Sequence, residues 1–65
     1  NSRAQYNFAI IQDKLGMPKK ALASYEEAIR LNPDYAEAYN NMGNIFEDND
    51  NLDLAIAAYK KALNI

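Results

Sequence analysis

Residues 33–62 read PDYAEAYNNMGNIFEDNDNLDLAIAAYKKA, and this stretch decides the fold. Pro33 cannot continue a preceding helix and pushes Asn32 out of the α region. Asp34 is a suitable N-cap, with Glu37 three residues on at capping-box spacing. Ala38, Met42, Ile45 and Phe46 then fall on one stripe of a helix predicted over about residues 35–48. Asn49-Asp50-Asn51 reads as a turn, because Asn and Asp tolerate the left-handed region and bond their own backbone. Asn51 is placed to cap a second helix over about residues 52–64, with Leu52, Ala55, Ile56, Tyr59, Ala62 and Leu63 on one face.

The same plan appears 34 residues earlier. Ala4, Asn7, Ile11, Ala21, Ala23, Tyr25 and Ala28 recur as Ala38, Asn41, Ile45, Ala55, Ala57, Tyr59 and Ala62. These are seven identities in the 31 pairs formed by residues 1–31 and 35–65, where squared residue frequencies give about three by chance. Phe8/Met42, Leu22/Ile56, Ile29/Leu63 and Leu31/Ile65 keep apolar groups in register. The first unit therefore covers about residues 2–34 and the second about 35–65, forming one domain. Helices are predicted over about 2–15 and 18–31. Gly16 ends the first by taking a left-handed conformation without steric cost, and Pro18 suits the first turn of the next. Met17 is a poor N-cap, and Glu26 and Arg30 are placed to pair at i, i+4.

Small residues set how closely such helices can approach. Ala9 and Gly43 admit a neighbouring backbone, as do Ala21, Ala28, Ala55 and Ala62. Tyr25 and Tyr59 fill the space between units. Tyr25, Tyr59, Phe8, Met42, Ile45 and Phe46 are the expected buried residues.

Composition narrows the classes. Val and Thr are absent, and Ala, Leu, Glu and Lys are plentiful, which favours helix. There is no Cys for a disulfide, and without Cys or His a structural zinc site is not expected. A net charge of −2 lacks the basic face of a nucleic-acid binder. Apolar runs are far shorter than the roughly 20 residues that span a bilayer, so no membrane partner is expected. The first residue is not Met, so a fragment of a longer chain is expected, and the compartment is left open. With 65 residues, a single core is marginal.

Together these residues resemble the tetratricopeptide repeat family, whose 34-residue signature is W-x2-L-G-x2-Y, then A-x3-F, then A and P. The second unit is similar at Tyr39-x2-Met42-Gly43-x2-Phe46 and Ala55-x3-Tyr59-x2-Ala62. The first keeps Phe8-Ala9, Ala21-x3-Tyr25-x2-Ala28 and Pro33, and departs at Gln5 and Gln12, where aromatics are usual. The resemblance implies an all-α fold, an α-solenoid of tandem antiparallel helix-turn-helix repeats. It also implies a protein-interaction scaffold whose first helices line a concave groove for a partner peptide.

Helical period places Arg3, Tyr6, Asn7, Ile10 and Asp13 of the first unit on that groove, and Glu37, Asn40, Asn41, Asn44, Glu47 and Asp48 of the second. Asn7 and Asn41 lie one repeat apart and would form a row able to bond a peptide backbone. The row is similar to the asparagine ladder of O-linked N-acetylglucosamine transferases. Nine Asn in the chain also allow plain surface solvation. Members that clamp a partner's C-terminal carboxylate use Lys, Arg and Asn on the groove. Only Asn44 fits that pattern here, and Glu47 and Asp48 would repel such a tail. Tyr6 and Ile10 could anchor a partner side chain or meet a preceding unit.

Catalysis is not expected: there is no His or Cys, no glycine-rich phosphate loop, and no implied cofactor. Glu47, Asp48, Asp50 and Asp53 lack the spacing of a calcium loop, and Leu52 and Leu54 interrupt them. The leading expectation is an adaptor segment. The alternatives are the substrate-recognition segment of a larger enzyme, such as a protein glycosyltransferase, and a self-assembly module. Self-association is expected by end-to-end stacking or helix exchange. Residues 1–34 carry a net +1 and residues 35–65 a net −3. Leu54 and Ala58 at one end, and Tyr6 and Ile10 at the other, are expected to be left for a neighbour.

Overall fold

The computed structural model describes all 65 residues as four helices: α1 (Ser2–Lys14), α2 (Pro18–Leu31), α3 (Ala36–Asp48) and α4 (Leu52–Leu63). Short connections fold α2 back on α1 and α4 back on α3, and α2 packs against α3 to join the two hairpins. The molecule measures 29 × 28 × 12 Å, so it is about one helix thick. No helix can then be covered on every side, and only Tyr25 and Ile45 are large side chains with essentially no exposure. No helix is long and apolar enough to cross a membrane.

The two hairpin turns are the same structure built from different residues. Gly16 has φ 78°, with Met17 N–H donating to the Gln12 carbonyl at 2.9 Å and Gly16 N–H to that of Asp13 at 3.0 Å. Thirty-four residues on, Asp50 has φ 60°. There Asn51 N–H donates to the Phe46 carbonyl at 2.8 Å and Asp50 N–H to that of Glu47 at 3.0 Å. Both close α1 and α3 with the paired backbone bonds of a left-handed helix stop. Asn1 caps α1 by accepting the Ala4 N–H at 2.7 Å.

The caps of the other helices differ from expectation. Asp34 does not cap α3; Tyr35 holds that position without a side-chain bond. The Asp34 N–H is turned outward onto the Asn32 side-chain oxygen at 3.2 Å, which places Asp34 one residue outside the helix and Glu37 too near its start for a capping box. Asn51 occupies the cap position of α4, but its side chain makes no capping bond. Met17 likewise gives α2 none. Arg30 pairs with Glu27, one turn back at i−3, rather than with Glu26; its Nε donates to both carboxylate oxygens at 3.0 and 3.1 Å.

The core joins Ala9, Ala21, Tyr25 and Ala28 of the first hairpin to Tyr35, Ala38, Met42, Ile45 and Ala58 of the second hairpin and its approach. Phe8 is not part of it: it is 54% exposed, because none of the four helices covers its side of α1. Phe46 and Tyr59 are half-buried. On α4 the inward face is Ala55, Ala58, Tyr59 and Ala62, while Leu52, Ile56 and Leu63 stand exposed. Ala58 is therefore a core residue and not a free one, and Tyr6 and Ile10 are partly buried against the core. Leu54 is exposed as expected.

Gln12, where an aromatic is usual, accepts the Ser24 hydroxyl proton at 2.6 Å. The corresponding pair in the second unit is Phe46 and Ala58, so a polar pair in one unit replaces an apolar pair in the other.

A candidate peptide-binding groove

Tyr25 organises the concave side. It lies on α2, almost fully buried, with its hydroxyl carried to the junction with α3. Burial alone would strand that hydroxyl. Asn41 prevents this: its Nδ2 donates to the Tyr25 Oη at 3.2 Å and to the Tyr6 Oη at 3.1 Å. Tyr6 in turn stacks on Tyr35 with ring centroids 4.9 Å apart and tilts against Tyr25 at 5.8 Å. One amide thus ties α1, α2 and α3 together. Burial raises the Tyr25 pKa above 10.0, and the Asn41 bond opposes that shift.

Beside this cluster lies a concave pocket of about 510 Å³, lined by Tyr6, Ala36, Glu37, Asn40, Asn41, Tyr59, Ala62 and Leu63. Its apolar lining comes from Tyr6, Ala36, Ala62 and Leu63, the last of them 84% exposed. Its rim carries the amides of Asn40 and Asn41 and the carboxylate of Glu37. Tyr59 reaches the rim because Gly43 leaves room for its ring: a Cβ at Gly43 would lie 2.6–2.9 Å from three ring atoms. The Tyr59 hydroxyl is 2.6 Å from Asn44 Oδ1 and 2.8 Å from Glu47 Oε1. Its single proton can serve one acceptor at a time, and its oxygen keeps lone pairs free. Desolvation raises its pKa, with the bond to Glu47 and the charges of Glu47 and Asp48 acting in the same direction.

Of the groove candidates, the structure brings Tyr6, Glu37, Asn40 and Asn41 into the pocket. Asn44 and Glu47 adjoin it through Tyr59. Arg3, Asn7, Asp13 and Asp48 are exposed outside it, and Ile10 packs partly on the core. Asn41, half-buried, commits its amide nitrogen to two tyrosines, whereas Asn7 is fully open. Sequence reasoning missed Ala36, to which it gave no role, and Tyr59, Ala62 and Leu63, which it assigned to packing. It also missed Tyr35, whose position directly before a helix was the available signal.

On the other side of the second hairpin, a smaller apolar hollow of about 160 Å³ lies among Tyr39, Met42, Phe46, Leu54, Ala57, Ala58 and Lys61. The Lys61 ammonium lies over the Tyr39 ring, 5.6 Å from its centre.

Comparison with known proteins agrees with this architecture. A TPR repeat family model matches residues 14–50, and a tetratricopeptide repeat model matches residues 36–65. Among curated relatives, a chloroplastic tetratricopeptide repeat domain-containing protein of Arabidopsis thaliana, PYG7, is 38% identical over 80% of this chain and 16% of its own length. Human tetratricopeptide repeat protein 6 is 37% identical over 88% of this chain and 11% of its own. The ycf37 protein of Porphyra purpurea is 41% identical over 92% of this chain and 35% of its own. This chain thus spans about a third or less of each relative. A crystal structure of MamA superposes with a TM-score of 0.95 at 32% identity, covering 97% of this chain and 37% of that one.

Proposed function

We propose that this chain, which belongs to the tetratricopeptide repeat family, holds a segment of a partner protein on its concave side, with one partner side chain seated in the pocket between α1, α3 and α4. The fold itself is a protein-interaction repeat module; the proposal names where the partner sits. The observation that carries it is the pocket's make-up: an apolar lining beside polar groups, of which Glu37 and Asn40 are not engaged within the chain, the arrangement that fixes a ligand's position while burying its apolar part. Asn40 offers both donors and an acceptor to a peptide backbone. Glu37 on the rim, with Glu47 and Asp48 behind, favours a partner carrying a basic residue next to an apolar one. In this reading the chain catalyses nothing itself. Any activity would belong to other parts of a longer protein.

Panning a display library of random peptides against the chain tests this. Enriched sequences should pair Lys or Arg with an aromatic or aliphatic residue. Calorimetry should show Glu37→Lys weakening them about tenfold, and Asn40→Arg should weaken them too. Both residues are exposed, so neither change should disturb the fold. Peptides that bind both variants as well as the parent would place the site elsewhere.

A further inference from the structure

Four exposed side chains follow one seam along α3: Glu37, Asn40, Asn44 and Glu47. Steps of three and four residues keep them on one side of the helix. Their order is carboxylate, amide, amide, carboxylate. At 1.5 Å per residue, the two acids lie about 15 Å apart along the axis and the two amides about 6 Å apart. The acids are therefore separate stations and not one cluster. The chain's one ion pair joins Arg30 to Glu27 on α2, so no cation of the chain neutralises Glu37 or Glu47.

Each half of the seam is set differently. Glu37 and Asn40 border the pocket. The other half is held by Tyr59, whose hydroxyl meets Asn44 Oδ1 at 2.6 Å and Glu47 Oε1 at 2.8 Å. This contact turns the Asn44 carbonyl toward α4 and leaves its Nδ2 donors for a ligand. It also holds Glu47 by one oxygen, with Oε2 open to a cation. Asp48, the next residue, adds negative charge at the same end. The seam's dimensions match an extended chain. A strand rises about 3.3 Å per residue and repeats its orientation every second residue, about 6.6 Å, close to the step from Asn40 to Asn44. Such a chain covers the distance between the acids in four to five residues. Only an even separation returns a side chain to the same face, which selects four. A helical partner would need about ten residues for the same distance.

We propose that the partner segment lies extended along α3, its backbone bonded by Asn40 and Asn44, with two basic side chains four residues apart held by Glu37 and Glu47. The proposal rests on the groove reading above, in which an apolar residue beside the first base fills the pocket. It adds the second base, the spacing between the two, and Tyr59 as the positioning residue that aims Glu47.

Fluorescence anisotropy at low salt tests this with dye-labelled peptides of equal length in a serine background. The reference peptide carries Lys-Leu and no other base. The others add a second lysine three, four, five or ten residues after the first. On the parent chain the four-residue spacing should bind about fivefold tighter than the reference, the upper end of what one exposed ion pair supplies, and the other spacings within about twofold of it. Glu47→Gln should reduce the four-residue peptide to the affinity of the reference measured on the same variant. Tyr59→Phe keeps the ring beside Gly43 and should narrow the same ratio, as should added salt. Equal binding at every spacing overturns the proposal. So does a preference for ten residues, which would mean a helical partner, or a gain that survives Glu47→Gln. The two readings separate on the reference peptide. If it binds Glu37→Lys as well as the parent, the groove reading falls and this one with it. If it is weakened there while spacing makes no difference, only the present proposal falls.

Discussion

Replacing Gly43 with leucine drives a side chain into the ring of Tyr59. A Cβ at this position already lies 2.6 Å from the nearest ring carbon, with two more ring atoms at 2.7 and 2.9 Å. Relieving that first contact alone requires the ring to retreat by about 1 Å, since carbon atoms sit comfortably at roughly 3.5 Å. An alanine can be accommodated this way. The half-buried ring swings outward, its hydroxyl loses its placement against Asn44 and Glu47, and the loss is offset by the roughly 1 kcal/mol that alanine gains over glycine inside a helix. Gly43→Ala should therefore be close to neutral, as the first unit suggests by carrying Ala9 at the same position. Leucine cannot be cleared by a small swing and should cost about 1–3 kcal/mol, or more. In a domain of this size, each kcal/mol moves the thermal midpoint by about 4–8 °C. Circular-dichroism melts at fixed concentration should then show Gly43→Leu losing roughly 5–20 °C, most of it restored when Tyr59→Ala is added. An unchanged midpoint for Gly43→Leu, or no recovery in the double variant, would refute the close approach of α3 and α4 at this ring.

Three further outcomes follow from named contacts. Asn41→Leu strands the buried Tyr25 hydroxyl and should destabilise by about 1–3 kcal/mol; Tyr25→Phe in the same chain should recover part of that, read from a double-mutant cycle of melts. Gly16→Ala places a side chain at φ 78° and should lose about 1 kcal/mol, whereas Asp50→Gly relieves φ 60° and should raise the midpoint slightly. The hydroxyl protons of Tyr25 and Tyr59 are both held above the ordinary phenol value of 10.0. A raised folded-state pKa gives stability that is full below the unfolded value and lost as pH climbs through the folded one. Melts should thus be insensitive to these groups at neutral pH and fall above about pH 10, with absorbance titration showing two late phenols.

Much of this architecture was legible because it rests on backbone punctuation and spacing. Pro33, Gly16 and the Asn49–Asn51 run mark the chain breaks, and the offset of 34 assigns each small residue its partner. What sequence could not supply was the third dimension of the end faces. Phe8 and Met42 read as the same residue by register, yet Met42 sits on α3, which packs against both α2 and α4, whereas Phe8 sits on α1, which packs mainly on α2 alone. Leu63 looked like core for the same reason, although none of the four helices covers it. The cap at Asp34 failed because Asn32 competes for its backbone. The arginine pairing failed because both Glu26 and Glu27 are within a turn of Arg30, and spacing alone does not choose. Within the groove, Tyr6, Glu37, Asn40 and Asn41 were found from helical period. The contributions of α4 were not, because Tyr59, Ala62 and Leu63 serve packing and pocket at once. The dual role of Asn41, half-buried between two phenols, needed the distances.

The pocket between α1, α3 and α4 is the central claim, and chemical-shift mapping tests it most directly. Titrating an enriched peptide into isotope-labelled chain should move the backbone amides of Tyr6, Glu37, Asn40, Asn41, Tyr59 and Leu63 together, in proportion to occupancy. Leu54 and Ala57 on the other side of the second hairpin should stay still. Shifts concentrated at Tyr39, Phe46, Leu54 and Ala57 instead would show that the partner sits in the smaller hollow and would contradict the account.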